Sequence, residues 1–363
     1  MTPTDLSHPN RHVSDLVKTW DDVAKTGKDA QLQWLHHALE TAIRLEFSTI
    51  PPYLMALWSI KDQQSTVASA IKTIVQEEMV HMALACNMLV AIGGTPPLNR
   101  KGFVPTYPGP LPGGIHAALT VSLSGLTRDA VKSFLIIERP EAQLTKETDE
   151  LMAAAGIGLA DKDDIGIGVF YDAILTAFRT LSPPFSLDRQ VKDWDPIDRV
   201  QSVEDVEAKI SLIKEQGEGT SQNPHQDASH KEELAHFYRF LEIHACKEID
   251  QVGTDKRWGF TGKAVAWPDV WPVALVPAGG YDRRKVAAPV ADLMERFDTA
   301  FGLLLQQLHH VWTTGDDAEL GKAIGTMGTL REPAIALMQI PIPGSDPGQT
   351  YAPSFRLHGH AAT

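Results

Sequence analysis

Glu78-Met79-Val80-His81 and Glu233-Leu234-Ala235-His236 repeat one spacing, Glu-x-x-His, in two segments with helical periodicity. Residues three apart on a helix project the same way, so each copy offers a carboxylate and an imidazole to one point. Two such pairs facing each other, completed by glutamates from other helices, form the ligand set of a di-iron carboxylate bundle. A lone Glu-x-x-His is weak evidence, because an acid and a histidine on a helix surface need no metal. Phase strengthens it. Glu78 lies seven residues after Ile71 and His81 seven after Ile74, so both fall on the apolar stripe of their helix. An inward carboxylate demands a cation, a proton or a hydrogen-bond network, since burying it alone is costly.

The same test turns Glu46 inward, seven residues after Leu39 and seven before Tyr53. Glu46 and Glu78 are almost equally far from a turn near residue 62, so an antiparallel hairpin sets them side by side. Glu40 and Glu77 have a different phase and read as solvated, while Arg44 supplies the competing account of a buried salt-bridge network. In the later segment Glu233, Phe237, Phe240 and His244 share a stripe that His236 borders. His244 reads as a core histidine, and Tyr53 as a core tyrosine with the option of lining a pocket.

One more glutamate is needed, and two arguments favour different residues. Glu138 is in phase with Val131, Phe134 and Leu135; Glu218 is off the stripe of Val206, Ile210 and Ile213, yet mirrors Glu233 about a loop near residue 225. Glu141 and Glu215 are further options. Asp161-Lys162-Asp163-Asp164-Ile165-Gly166 is a poor calcium loop, lacking the oxygen ligand at its fifth position and the closing Glu. The adjacent pairs His36-His37 and His309-His310 point in different directions on a helix.

These residues must be positioned by helices. Apolar periodicity predicts one over 31–62, interrupted by Pro51-Pro52 and therefore distorted about a turn after Glu46, and a second over 65–92 that stops at Gly93-Gly94. Residues 94–125 are Pro- and Gly-rich and read as a crossover over the bundle, with a short strand at 117–123. Further helices are predicted over 127–139, 167–181, 203–215 and 230–247. Residues 251–285 read as irregular, followed by helices at 288–313 and 317–339 and an extended tail. The expected fold is mostly α: a four-helix bundle within 1–250, and a segment 251–363 forming a linker plus a helical hairpin packed on the bundle.

The 363 residues carry a net charge of −13 at pH 7, which disfavours tracking nucleic-acid phosphates or adhering to anionic lipid and points to a small-molecule partner. Only Cys86 and Cys246 are present, too few for a disulfide scaffold, and both read as buried free thiols. The polar stretch from Met1 to Asn10 contains no apolar signal core and no later run is long enough to span a bilayer, so a cytoplasmic location is expected.

The stretch Leu45-Glu46-Phe47-Ser48-Thr49-Ile50-Pro51-Pro52-Tyr53-Leu54, Glu77-Glu78-Met79-Val80-His81 with Asn87 and Gly93-Gly94, Glu138-Arg139-Pro140-Glu141, Gln216-Gly217-Glu218-Gly219, and Glu233-Leu234-Ala235-His236-Phe237-Tyr238-Arg239-Phe240 resembles the ferritin-like domain of iminophenyl-pyruvate dimer synthases. That family includes enzymes of the violacein and rebeccamycin pathways that couple two amino-acid-derived imines. The resemblance, over roughly residues 30–245, implies a ferritin-like bundle with an iron site. It carries Glu46, Glu78, His81, Glu233 and His236 over as ligands and leaves both Glu138 and Glu218 inside family motifs.

The expected function is a non-haem di-iron oxidoreductase that uses dioxygen or peroxide on a small amino-acid-derived molecule, imine- or keto-acid-like, in secondary metabolism. Iron suits the carboxylate and imidazole donors, as does manganese. Glu46, Glu78 and Glu233 would act at the reacting centre. The alternatives are a non-catalytic metal-binding relative and a redox-neutral site that positions two imines for coupling. A homo-oligomer is compatible, but the irregular segments and C-terminal helices would obstruct the compact packing of a storage shell.

Overall fold

A computed structural model describes residues 12–140, 146–158, 166–192, 195–219, 224, 233–345 and 348–357. Met1–Asn10, Glu141 and most of the rejected calcium loop lie outside the described residues. The helices are α1 Val13–Val23, α2 Lys28–Ser59, α3 Thr66–Ala91, α4 Arg128–Ile137, α5 Lys146–Ala154, α6 Ile167–Leu181, α7 Val203–Glu218 and α8 His236–Ala245. Strands β1 Lys247–Val252 and β2 Arg257–Ala264 follow, then α9 Ala288–Thr314, α10 Asp317–Thr329 and α11 Arg331–Leu337. No described helix is long and apolar enough to cross a membrane.

The bundle is made of two helix pairs. α2 packs along α3, α6 along α7, and the pairs meet through α2 against α6 and α3 against α7. α4 and α8 pack on each other, and α8 also touches α3 and α7. Capping sets the helix starts: the side chains of Ser65, Thr127 and Ser202 accept the N–H groups of Ala68, Ala130 and Asp205. α3 stops where Gly93 takes φ +86° and the Gly94 N–H returns to Leu89 O at 2.9 Å, a closure that needs a residue tolerant of left-handed backbone.

α2 continues through Pro51 and Pro52 to Ser59. Pro52 cannot donate to Ser48 O, and the buried Tyr107 hydroxyl donates to that carbonyl instead, at 2.7 Å. The crossover therefore supplies a partner that the helix lacks.

Several elements depart from expectation. α8 begins at His236, not near residue 230, and α1 and α5 are additional helices, α1 with Val13, Leu16 and Trp20 at helical spacing on its buried face. Part of the supposedly irregular stretch is the antiparallel β1–β2 hairpin, with Ile249 opposite Phe260 and Val252 opposite Arg257. The strand expected at 117–123 is only a bridge between Val121 and Gly109. The last predicted helix breaks at Leu330, because Pro333 has no N–H to continue the ladder.

Segments beyond residue 264 join the same core. Phe301 stacks near Phe47 with ring centroids 6.3 Å apart, Trp58 meets Phe297 at 6.2 Å, and Phe355 lies parallel to Trp58 at 6.1 Å.

Candidate metal centre

α2 brings Glu46, α3 brings Glu78 and His81, the C-cap of α4 brings Glu138, and the first residue of α8 is His236. All five side chains are buried. They form two groups, Glu46–Glu78–His81 and Glu78–Glu138–His236, each with ligand atoms within 4.8 Å of one another. Glu78 belongs to both.

Each imidazole turns Nδ1 toward the carboxylates. His81 Nδ1 lies 3.6 Å from Glu46 Oε2 and 3.6 Å from Glu78 Oε1. His236 Nδ1 lies 2.9 Å from Glu78 Oε1 and 3.5 Å from Glu138 Oε2, yet it is aligned with neither as a hydrogen-bond donor. The outer nitrogens are anchored: His81 Nε2 sits 2.7 Å from Gln216 Oε1, and His236 Nε2 3.0 Å from Glu77 Oε2. Glu77 is in turn held by Arg239, whose Nη1 is 3.1 Å away.

The carboxylates are fixed from behind. Tyr171 donates to Glu46 Oε1 at 2.6 Å and Tyr53 to Glu138 Oε1 at 2.5 Å, while the Thr49 hydroxyl stands 2.6 Å from Glu78 Oε2. Tyr53 is also packed as expected, against Phe134 and Phe240 at 4.6 and 5.1 Å.

Burial pushes Glu46 upward from its ordinary value, and the neighbouring charge of Glu78 adds to the rise. Glu138 rises for the same two reasons. Burial would raise Glu78 too, but His236 and His81 outweigh it and hold this carboxyl well below the usual range. Burial opposes charging of both histidines; Glu46 and Glu78 nevertheless lift His81 to about 10, and Glu138, Glu77 and Glu78 raise His236. Glu78 and the two imidazoles thereby favour one another's charged forms.

Those groups suit a divalent first-row metal. Carboxylate and imidazole donors match iron or manganese, both histidines have a fixed outer partner, and the poorly aligned His236 Nδ1 is a buried donor atom aimed at the cluster.

Beside the carboxylates is a cavity of about 20 Å³, bounded by Glu46, Glu78, His81, Glu138, Ile213, Gly217 and Glu218 among others. Glu218 is half-buried there and belongs to neither group. Its carboxylate lies over Gly168, where an added Cβ would stand 2.5 Å from Oε1. So the mirror argument brings Glu218 to the rim and the phase argument brings Glu138 to the cluster.

Glu233 is not brought to the cluster. Its side chain is 48% exposed and pairs with Arg239 Nη2 at 3.1 Å. The cause is the late start of α8: Ala235 is the extended N-cap, so Glu233 precedes the helix and loses the three-residue phase with His236. Glu40 pairs with Arg100, Glu215 and Arg44 lie outside both groups, and His244 is half-buried near the end of α8. Cys86 is buried and free, whereas Cys246 is only half-buried.

Gln216, Tyr171, Glu77 and Arg239 escape sequence reasoning. Gln216 continues the Val206–Ile210–Ile213 stripe, and a polar residue on an apolar stripe was its available signal. Nothing separates Tyr171 from the core aromatics around it, and the link from Glu77 to Arg239 depends on tertiary packing.

Known proteins share this architecture. Residues 39–245, over half the chain, match the family model described as Ferritin-like. The chain is 24% identical over 325 residues to the dichlorochromopyrrolate synthase of Lentzea aerocolonigenes, covering 80% of this chain and 30% of that protein. It thus spans under a third of the length of that curated relative. A crystal structure of a ferritin-like protein from Caulobacter vibrioides matches with a TM-score of 0.57 at 20% identity, covering 88% of this chain and 97% of that one, a likeness of fold. With the family match running from the first carboxylate helix through the helix of His236, the chain belongs to the ferritin-like family.

Proposed function

We propose that the protein is a non-haem di-iron oxidoreductase that uses dioxygen or peroxide on a small amino-acid-derived molecule. The observation that carries this reading is the sharing of buried Glu78 between two Glu/Glu/His groups, which is how adjacent metal positions are built in carboxylate bundles. Glu46, Glu78 and His81 would hold one ion, and Glu78, Glu138 and His236 the other. Bound there, iron or manganese would supply Lewis-acid and one-electron redox chemistry to dioxygen or peroxide.

The chain's own groups do the positioning. Tyr171 and Tyr53 occupy one oxygen of Glu46 and of Glu138, leaving the other oxygen of each directed inward. Gln216 and Glu77 fix the imidazole orientations. The adjoining cavity has room for about one water-sized molecule, in keeping with a small oxidant rather than an organic substrate beside the carboxylates. The amino-acid-derived substrate class rests on the resemblance to imine-coupling enzymes and on the synthase relative.

Anaerobic ferrous loading followed by oxygen or hydrogen peroxide tests the proposal, with metal content, absorption spectrum and oxidant consumption as readouts. About two irons per chain, with oxidant consumed in proportion, is expected. Two irons bound with no consumption of either oxidant would leave a non-catalytic metal-binding protein. The named synthase favours one second reading, that the site positions two imines for coupling without net oxidation. Coupled product formed with no oxidant consumed would select it.

A further inference from the structure

A larger cavity, of about 660 Å³, lies between the α3–α4 crossover, α9 and the carboxy-terminal segment. No residue lines both it and the cavity beside the carboxylates. Val104, Leu305 and Phe355 contribute apolar surface, and among the described residues its only charged lining side chains are Lys101 and Arg356. Two cations and no acid among the described lining residues reverse the local sign in a chain of net charge −13.

Arg356 is half-buried and makes no ion pair among the described residues. Asp298 accepts the backbone N–H of Arg356 and feels its charge, but its ion pair is with Arg283. The guanidinium lies against Gly280, at φ +75°, where an added Cβ would stand 2.8 Å from Nη1. The positive φ favours glycine here, and its bare Cα leaves room for the guanidinium. Tyr107, another lining residue, donates to Ser48 O, which joins the cavity wall to the helix that carries Glu46.

We propose that this cavity binds a small amphipathic organic anion, its aryl or alkyl body on Val104, Leu305 and Phe355 and its carboxylate on Arg356 and Lys101. The volume lies within the roughly 300–1,000 Å³ usual for small-molecule sites. A planar guanidinium matches a carboxylate in two-point geometry, and a half-buried cation without an ion-pair partner gains most from such a ligand. The site is separate from the metal centre and does not depend on the reaction assigned there.

Calorimetric titration of the full chain with 3-phenylpropionate tests the site, with 3-phenylpropanol and acetate as the uncharged and the body-less comparators. Saturable binding of the acid is expected, with both comparators weaker by roughly tenfold or more. Arg356→Gln should weaken the acid by a similar factor. Gly302 lines the cavity and a Cβ there meets only Leu357 at 3.8 Å, so Gly302→Met can fill the space without disturbing either cation. That variant should lose binding with its melting midpoint and metal content unchanged. Equal binding of acid and alcohol, unchanged affinity in both variants, displacement of the acid by manganese loading, or no binding of the acid would each overturn the proposal.

Discussion

Glu78 is the residue on which both metal positions depend, and its neighbours allow a graded test. Glu78→Ala should abolish metal binding, whereas Glu46→Ala and Glu138→Ala should each remove about one of two equivalents, and Glu233→Ala should leave content unchanged, all by elemental analysis of folded protein. A Glu233→Ala protein that loses metal while Glu138→Ala retains it would sink the assignment. The two positions should also differ in affinity. A carboxylate behind an imidazole makes it a stronger donor than an amide does, and Glu77 backs His236 where Gln216 backs His81. Arg239 tempers the charge of Glu77 without removing it. Metal titration should therefore resolve a tighter and a weaker step, with Glu77→Gln weakening the tighter one by roughly tenfold to a hundredfold. Two equal steps, indifferent to that substitution, would show the outer shell to be inert.

At the scale of elements, the junction of α8 with β1 carries a pH dependence of its own. Glu242 accepts the Ile249 N–H at 2.6 Å, and burial pushes its carboxyl up to about 7 despite that bond. A carboxyl raised in the folded state keeps its proton there while the unfolded chain has lost it. Its contribution to stability is thus present at low pH and is lost as pH rises from about 4.5 through about 7. Glu242→Gln keeps an acceptor without a charge, so urea unfolding at pH 5 and pH 8 should differ less in the variant, by about 1–2 kcal/mol after allowance for solvent screening. An equal pH response in both proteins would move the titration elsewhere. The same junction marks the limit of what the sequence discloses. α2 and α3 are legible because long apolar stripes carry Glu46, Glu78 and His81 on them, whereas the phase of α4 offers Glu138 only as an alternative to Glu218. The start of α8 is not legible, because no side chain caps it: the Ala235 N–H goes to Pro224 O and the Arg239 side chain turns back to Leu234 O. Glu233 falls outside the cluster for that reason, and phase alone reads Glu77 as solvated because its partner comes from a helix more than a hundred residues away. The β1–β2 hairpin gives a weak signal, because Gly259 and Gly262 interrupt the Trp258–Phe260 alternation of β2 and β1 buries only Ile249.

For the whole molecule, the question is whether the segment after residue 250 is an appendage or part of the bundle's cooperative unit. Asn87 on α3 makes four bonds, the last of which crosses that boundary: Nδ2 donates to Val191 O at 2.8 Å and Asp198 O at 3.1 Å, and Oδ1 accepts from Val191 N and from Trp312 Nε1, both at 2.9 Å. Every donor and acceptor of the amide is used, and the bonds tie the metal-bearing helix to α9. The aromatic contacts of Phe47 and Trp58 with Phe301, Phe297 and Phe355 run across the same boundary. Asn87→Ala should therefore cost about 3–5 kcal/mol, because it strands several buried polar groups at once. Asn87→Asp turns a buried carboxylate oxygen toward the Val191 and Asp198 carbonyls and should cost at least as much. Far-UV circular dichroism and tryptophan fluorescence should still trace one coincident unfolding transition, shifted to lower denaturant. If fluorescence instead moves ahead of the helical signal in the Asn87 variants, the C-terminal helices unfold by themselves and the bundle ends near residue 250.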